Sequence, residues 1–249
     1  MKNSIAIISL LVSVSSAWAT LITNNFNGAN TTQTAYTVTV GGTDWVQDGN
    51  GTASAGADWF INGNELRGRN RQDNAFLRNT AQQTISGGGT NFTLSVDVSP
   101  LNANVWIGAV FNYTSTSNYY ILRIKGDATN WQLLGVDGGV QSTLTSGTLS
   151  SGTFAQDLFY NLNITSDTAG SFNFAIKARG SSTVLNSVTN YTDATSPLQG
   201  GNAGMFFSLA TGGHNAAYDN FSLNVIPEPA TIGMLIFGAA ITMLIRRRK

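Results

Sequence analysis

The feature that most constrains the fold is the alternation of apolar and polar residues in several short segments. Every second residue is apolar in Phe92–Val98, in Leu158–Ile164 and in Phe172–Ile176. A period of two places one face of a β-strand against a core and the other face in water. No sustained helical period runs through residues 20–226, so the sequence predicts an all-β domain.

Ten segments are predicted as strands, and glycine-rich turns separate many of them. Pairs such as Gly41-Gly42 and Gly138-Gly139 reach positive φ at little cost and suit hairpins. Residues 41–56 are interpreted as a long loop. So many short strands in one domain favour two packed antiparallel sheets. The predicted strands are residues 35–40, 91–98, 105–113, 119–124, 131–136, 158–165, 171–178, 184–189, 204–209 and 217–225.

The N-terminus has the layout of a secretory signal peptide. Lys2 precedes an apolar run from Ile5 to Val14, and Ala17-Trp18-Ala19 is a small-x-small cleavage site. We therefore expect an exported protein whose mature chain begins at Thr20. The chain has no cysteine, which excludes disulfides, a cysteine nucleophile and a thiolate metal site.

The C-terminus predicts a membrane anchor. Pro227-Glu228-Pro229 precedes the uncharged segment 230–245, and the chain then ends in Arg246, Arg247, Arg248 and Lys249. At about 1.5 Å per residue this transmembrane helix is slightly short for a hydrocarbon core of roughly 30 Å. The basic tail would stay in the cytoplasm and leave the domain outside it.

Tripeptide, short apolar span and basic tail, in this order, resemble the PEP-CTERM sorting signal of Gram-negative bacteria. The resemblance implies processing by an exosortase, a membrane cysteine peptidase, at the inner membrane, followed by release or attachment at the cell surface. The alternative is an ordinary tail anchor that is never cut. The expected organisation is a signal peptide at residues 1–19, a β-sandwich at 20–225 and the sorting signal at 226–249.

Three stretches of the domain are similar to strands of concanavalin A-like (laminin G-like) jelly rolls. They are Asn104–Tyr113 (NVWIGAVFNY), Asn118–Ile124 (NYYILRI) and the closing Ala217–Leu223 (AYDNFSL). The resemblance implies a two-sheet antiparallel jelly-roll sandwich. It implies no activity, because one fold hosts many functions.

A catalytic site is not evident. Retaining glycosidases of this superfamily use a Glu-x-Asp-x-x-Glu strand, with carboxylates about 5–5.5 Å apart. The chain has only Glu65 and Glu228 as glutamates and lacks this motif, and Asp97 and Asp157 have no neighbouring carboxylate in sequence. The single histidine, His214, has no Ser-His-Asp arrangement around it. We expect a non-catalytic protein; a glycan-active hydrolase or lyase is the alternative.

Glycan binding is the favoured chemistry, because sugar rings stack on aromatic faces while amides meet their hydroxyls. The aromatic candidates near amides are Trp45, Trp59, Trp131, Tyr113, Tyr119 and Tyr191. Arg67, Arg69 and Arg71 would share one strand face and could grip an acidic polysaccharide. The alternatives are that these aromatic residues fill the core and that the arginines are a solvated face.

Calcium is the candidate cofactor. Asp219 and Asn220 near one chain end, and Asn25 and Asn27 near the other, would supply oxygen ligands where the ends pair. The alternative is that these residues only shape turns.

Charge excludes one class of partner. Residues 20–226 carry eight basic and twelve acidic side chains, a net charge of about minus four, without the basic face of a nucleic-acid binder. The sequence therefore predicts a cell-surface or extracellular-matrix protein that binds glycans or has a structural role in the exopolysaccharide layer. A plain adhesive protein with no small ligand is a further alternative.

Overall fold

The structure is a computed structural model that describes residues 20–27, 37–40, 43–49, 58–69, 75–79, 91–168, 170–195, 197–198, 200–208 and 214–226. All of these belong to the compact unit Ala19–Ile226. The predicted signal peptide, the Pro-Glu-Pro tripeptide, the transmembrane segment and the basic tail lie outside the described residues. Within the described ranges the structure has no helix with the length and hydrophobicity needed to cross a bilayer.

The described chain forms sixteen strands. In chain order they are β1 (Thr20–Asn24), β2 (Thr37–Val40), β3 (Thr43–Gly49), β4 (Asp58–Asn62), β5 (Glu65–Arg69), β6 (Ala75–Asn79), β7 (Asn91–Pro100), β8 (Trp106–Ser115), β9 (Asn118–Lys125), β10 (Asn130–Asp137), β11 (Val140–Thr148), β12 (Tyr160–Thr168), β13 (Ser171–Ala178), β14 (Val184–Thr192), β15 (Asn202–Ser208) and β16 (His214–Ile226).

These strands build two sheets in a jelly-roll-like sandwich. Sheet A has the order β14-β13-β12-β7-β16-β5-β4, with β1 also paired to β16, and sheet B has the order β11-β10-β9-β8-β15-β6-β3-β2. Every pairing between these strands is antiparallel. The prediction of an all-β fold with two antiparallel sheets is confirmed.

All ten predicted segments overlap strands, but the loop predicted for residues 41–56 is wrong. Thr43–Gly49 forms β3, which pairs with β2 and β6. Trp45 on this strand is fully buried. Polar residues and glycines around β3 led to the loop prediction, whereas the large Trp45 side chain anchors the strand in the core.

The core lies between the sheets, where alternate residues of each strand meet. Edge-on aromatic contacts join the sheets at three places: Trp45 with Phe221 at 5.0 Å, Trp59 with Phe207 at 5.1 Å and Trp131 with Phe174 at 5.1 Å between ring centroids. Such geometry stabilises aromatic pairs beyond the area they bury. The contact between β10 and β13 places β11 and β14, which each form one end of their sheet among the described strands, along the same side of the sandwich.

The two outer faces differ in polarity. Alternate residues of β7 and β12 that face away from the core are polar, among them Thr93, Ser95 and Asn163. The outer face of sheet B carries a second buried apolar cluster, made of Phe76, Val110, Tyr113, Tyr119, Ile121, Leu134, Val136 and Phe206. Sheet A thus follows the usual pattern of one wet face, and sheet B does not.

Two glycines allow close approach of neighbouring strands in sheet B. A Cβ atom at Gly108 would lie 2.0 Å from the carbonyl oxygen of Leu122, and one at Gly204 would lie 2.1 Å from that of Leu77. Both obstacles are backbone atoms, which cannot move aside as a flexible side chain could. Glycine is therefore required at both positions.

Candidate functional site

A pocket of about 690 Å³ opens where the β10–β11 hairpin meets the segment that follows β14. Its volume is within the range of natural small-ligand sites. We call it the Asp193 pocket. Its lining combines carboxylates, hydroxyls and aromatic rings, and includes Tyr120, Asp137, Ser142, Thr143, Leu144, Tyr191, Thr192, Asp193, Ala194, Thr195 and Leu198.

Asp193 is the buried carboxylate of this pocket. Its Oδ2 accepts a hydrogen bond of 2.8 Å from the Tyr120 hydroxyl, and its Oδ1 accepts one of 3.1 Å from the backbone N–H of Thr195. The Tyr120 oxygen in turn accepts a 2.8 Å hydrogen bond from the backbone N–H of Leu198. The carboxylate is therefore fixed in orientation from the core side.

Further hydrogen bonds hold the segment that carries Asp193 in place. The backbone N–H of Asp193 donates to the Gly170 carbonyl at 2.7 Å, and the Asn112 side chain donates to the Leu198 carbonyl at 3.1 Å. Gly170 has a φ of 72°, and a Cβ atom there would lie 2.5 Å from the Cβ of Pro197. A residue with a side chain at position 170 would push the segment away, so the pocket wall depends on this glycine.

Burial sets the protonation of the tyrosines in the pocket. Removal from water raises the pKa of Tyr120 well above its usual value, and the Asp193 charge beside the hydroxyl adds to the shift. Burial, assisted by Asp193, also raises the pKa of Tyr191. A neutral tyrosine hydroxyl can keep donating to the carboxylate at any physiological pH.

The lining suits a neutral ligand rich in hydroxyl groups. A carboxylate oxygen accepts more than one hydrogen bond, and the hydroxyls of Thr192 and Thr195 can donate or accept. Tyr191 adds part of an aromatic ring. Among the described residues that line the pocket there is no lysine or arginine, so an anionic ligand would meet the negative charges of Asp137 and Asp193.

A second polar cluster lies on the outer face of sheet A. Asp97 of β7 and Asp219 of β16 are directly opposite in the strand register. The Arg179 guanidinium bridges them: its Nε lies 3.1 Å from Asp97, and its terminal nitrogen contacts Asp219. Asn161 and Asn220 also donate to Asp97, at 2.8 and 2.9 Å. Asp97 has no nearby carboxylate in sequence, and its neighbour in the fold, Asp219, comes from a strand that is distant in the chain.

The tryptophans proposed for stacking lie in the core. Trp45 and Trp59 are 0% exposed and Trp131 is 3% exposed, so their rings offer no face to a ligand in solution. Large aromatic residues were needed to fill the space between the sheets. Tyr119, at 3% exposure, and Tyr113 belong to the buried cluster on the outer face of sheet B. Of the six aromatic candidates, Tyr191 lines the Asp193 pocket.

Trp106 is half-buried on the outer face of sheet B. The Arg123 guanidinium lies over its ring at 4.2 Å, and Lys125 approaches the same ring at 5.8 Å. Arg123 is further held by two hydrogen bonds to the Gln132 side chain, of 3.0 and 2.6 Å. Burial lowers the pKa of Arg123 to about 10. The cation already occupies a ring face that a sugar would need.

The predicted arginine row is placed on β5 and beyond it. Arg67 and Arg69 alternate with the buried Leu66 and Gly68, so both face outward as predicted. Arg67 forms a 3.0 Å ion pair with Glu65, and Arg69 lies over the Phe60 ring at 5.2 Å. Arg71 lies outside the described residues.

The residues predicted for calcium do not fit the ion as they are arranged. The chain ends do pair, since β1 runs along β16. However, Asp219 contacts the Arg179 guanidinium through one oxygen and accepts the Asn220 backbone N–H through the other. The side-chain oxygen of Asn25 accepts from the backbone N–H of Asn27 at 3.3 Å. No group of three or more histidine or acidic side chains that could hold a metal occurs among the described residues.

The Asp193 pocket could not be predicted from the sequence, because the residues that form it are far apart in the chain. Tyr120 and Asp193 are 73 residues apart. The local signal was the run Tyr191-Thr-Asp-Ala-Thr195, in which an aromatic residue and a carboxylate are followed by small polar residues that can form a turn.

No family model and no curated protein matches this chain by sequence. Solved structures match its fold. The carbohydrate-binding module CBM66 from Bacillus subtilis is 12% identical with a TM-score of 0.51, over 72% of this chain and 94% of that one. The CBM2 module of the evolved Dit of Lactobacillus casei BL23 phage J-1 is 12% identical, also with a TM-score of 0.51, over 83% of this chain and 95% of that one. At such low identity these likenesses show the fold alone.

Proposed function

We propose that this protein is a non-catalytic glycan-binding component of the cell surface or extracellular matrix, and that the Asp193 pocket binds a neutral sugar. The observation that carries the proposal is the oriented carboxylate of Asp193, which lies among hydroxyls and beside Tyr191 in a pocket of suitable size. The two solved structures that share the fold are by name a carbohydrate-binding module and a CBM2 module, which supports this class of ligand.

Delivery to the surface is the second part of the proposal. The signal peptide at residues 1–19 would direct export. Pro227-Glu228-Pro229, the apolar segment and the basic tail would hold the chain in the inner membrane until an exosortase removes residues near the C-terminus. An outer face of sheet A that is wet and polar suits a domain that works in a hydrated polysaccharide layer.

A glycan-cleaving enzyme is the second candidate, and the pairing of Asp97 with Asp219 favours it. Opposed residues of antiparallel strands have Cβ atoms roughly 4.5–5.5 Å apart, which is close to the spacing of a retaining glycosidase. Arg179 argues against it, because a guanidinium that bridges both carboxylates occupies the place of a substrate. Asp97 and Asp219 also lie outside the lining of the Asp193 pocket.

The experiment is a binding screen of the purified full-length chain by affinity electrophoresis. Dextran, laminarin and xylan serve as neutral polysaccharides, and alginate and polygalacturonate as acidic ones. We expect retardation by at least one neutral polysaccharide, with no fall in its chain length. Binding of the acidic polysaccharides alone would contradict the neutral pocket and favour the face of Arg67 and Arg69. Shortening of a polysaccharide would favour the enzyme, and no retardation by any of the five would favour a plain structural protein.

A further inference from the structure

We infer that the glycan site extends beyond the Asp193 pocket, along the side of the sandwich between β11 and β14, and holds a linear neutral glycan of several sugar units. This inference rests on the proposed function. It names a ligand class, a chain rather than a terminal sugar, and a path for that chain. We call the path the edge groove.

A second pocket lies at the far end of the edge groove. Its volume is about 530 Å³, and its lining includes Leu149, Ser151, Thr153, Leu158 and Leu185 together with two charged residues, Asp157 and Arg179. Leu149 directly follows β11 and Leu185 is in β14, the same two strands that contribute Thr143 and Tyr191 to the Asp193 pocket. We call it the distal pocket. The two pockets therefore lie at opposite ends of one pair of strands.

The distance between the pockets is that of an extended ligand. Tyr191 lies six positions after Leu185 in β14, and at about 3.3 Å per residue this corresponds to roughly 20 Å. One bond crosses between the strands on the way: the Asn186 side chain donates to the Thr148 carbonyl at 3.4 Å. It fixes the separation of the two strands, and the glycan would lie over it.

The edge groove has the chemistry of a sugar-binding surface. Leu144, Leu185, Val188 and Tyr191 are partly buried and pack against the core, forming an apolar floor. Serine, threonine, asparagine and glutamine supply the polar side chains of β11 and β14. A sugar ring has apolar C–H faces and a rim of hydroxyls, which match such a floor and such edges.

Charge favours a neutral glycan over other occupants. Neither Val140–Thr148 nor Val184–Thr192 contains a charged residue. The Arg179 cation in the distal pocket is paired with Asp97 and Asp219. Terminal strands usually carry charges or prolines that prevent pairing with another chain, so a β-strand of a second copy is the competing occupant. Bulges interrupt the pairing of β10 with β11 at Leu133/Leu134, and that of β13 with β14 at two places. They twist both edges and make strand pairing with a second copy less favourable.

The test compares ligand lengths and blocks the distal pocket. Disaccharides and hexasaccharides of the isomalto-, laminari- and xylo-series, which match dextran, laminarin and xylan, are titrated calorimetrically into the full-length chain. Ser151→Trp places a bulky side chain in the distal pocket, and Ser150→Trp is the matched control, since Ser150 is also exposed but does not line that pocket. Sedimentation of the ligand-free protein at increasing concentration measures self-association.

In a series that binds, we expect the affinity for the hexasaccharide to exceed that for the disaccharide by about tenfold or more. Ser151→Trp should remove this gain and leave disaccharide affinity unchanged, while Ser150→Trp changes neither. Equal affinities for both lengths would overturn the edge groove and leave the proposed function standing. A gain that survives Ser151→Trp would also overturn it, as would a dimer that the hexasaccharide does not dissociate. Failure of every oligosaccharide to bind would overturn both the groove and the proposed function.

Discussion

The Tyr120 hydroxyl donates a 2.8 Å hydrogen bond to the Asp193 carboxylate and accepts one of the same length from the Leu198 backbone. One core tyrosine of sheet B therefore holds both ends of the segment from Asp193 to Leu198, which forms a wall of the candidate site. The same hydroxyl links stability to binding, since it helps to hold both the segment and the carboxylate in position.

Tyr120→Phe removes both hydrogen bonds without changing the shape of the ring. The buried Asp193 carboxylate then loses a donor, and we expect the free energy of unfolding to fall by about 1–3 kcal/mol. Urea denaturation of the variant and the wild type measures the difference. Tyr191→Phe is the matched control, because its ring lines the same pocket and is less deeply buried. Equal losses in the two variants would contradict the role assigned to Tyr120.

Alkaline pH should weaken the fold through the same tyrosine. Burial raises the pKa of Tyr120 in the folded state above the usual tyrosine value. The stabilisation is therefore complete below about pH 10 and decreases as pH rises above it, because the unfolded chain ionises first. The free energy of unfolding, measured between neutral and strongly alkaline pH, should fall less steeply for Tyr120→Phe than for the wild type. An identical slope would show that Tyr120 does not carry this dependence.

Arg179 is predicted to be more important for stability than other surface arginines. Its removal leaves two opposed carboxylates, one of them almost fully buried, without their shared cation. Arg179→Ala should cost about 1–3 kcal/mol. Arg67→Ala removes the partner of one carboxylate, Glu65, which is more exposed than Asp97 and Asp219, and should cost about 0–1 kcal/mol. Urea unfolding compares the two.

A rescue variant separates charge from packing at this cluster. Adding Asp97→Asn and Asp219→Asn to Arg179→Ala removes the repulsion between the carboxylates, so stability should recover in part. If the triple variant is no more stable than Arg179→Ala, the loss comes from the packing of Arg179 on the Phe159 ring, which it covers at 4.6 Å.

Gly108→Ala tests the close approach of β8 and β9. The new Cβ would lie 2.0 Å from the Leu122 carbonyl oxygen, so the strands must separate, at a cost of about 3 kcal/mol or more. Gly135→Ala is the control, because its nearest obstacle is the flexible Leu144 side chain at 3.2 Å. Thermal unfolding should distinguish them clearly. Similar small losses would mean that the sheet can adjust.

The sorting signal makes a prediction that is independent of the pocket. Glu228→Ala should leave unprocessed protein in the inner membrane of a host that carries an exosortase, as seen by fractionation and immunoblotting. Removal of Pro227 should have the same effect. Normal release of both variants would contradict exosortase processing and favour a tail anchor.

The strands could be predicted from the sequence because alternation is local: Phe92–Val98 reports its own buried face. The pairing of Asp97 with Asp219 could not, since it depends on β16 lying beside β7. The same reason hid the contact between Tyr120 and Asp193. The prediction that Trp45 and Trp59 bind sugars is wrong, because amides that are near in sequence do not reveal that a ring faces the interior.

The most direct test of the proposed function is to block the Asp193 pocket and measure the affinity for the glycan. Ala194→Trp places a large ring in the lining of the Asp193 pocket, whereas Ala103→Trp places it on an exposed position between β7 and β8, outside the lining of both pockets and outside β11 and β14. Both variants and the wild type are titrated with the neutral polysaccharide that binds best. We predict that Ala194→Trp loses about tenfold or more in affinity and that Ala103→Trp retains it. Equal affinity in all three proteins would contradict the assignment of glycan binding to this pocket.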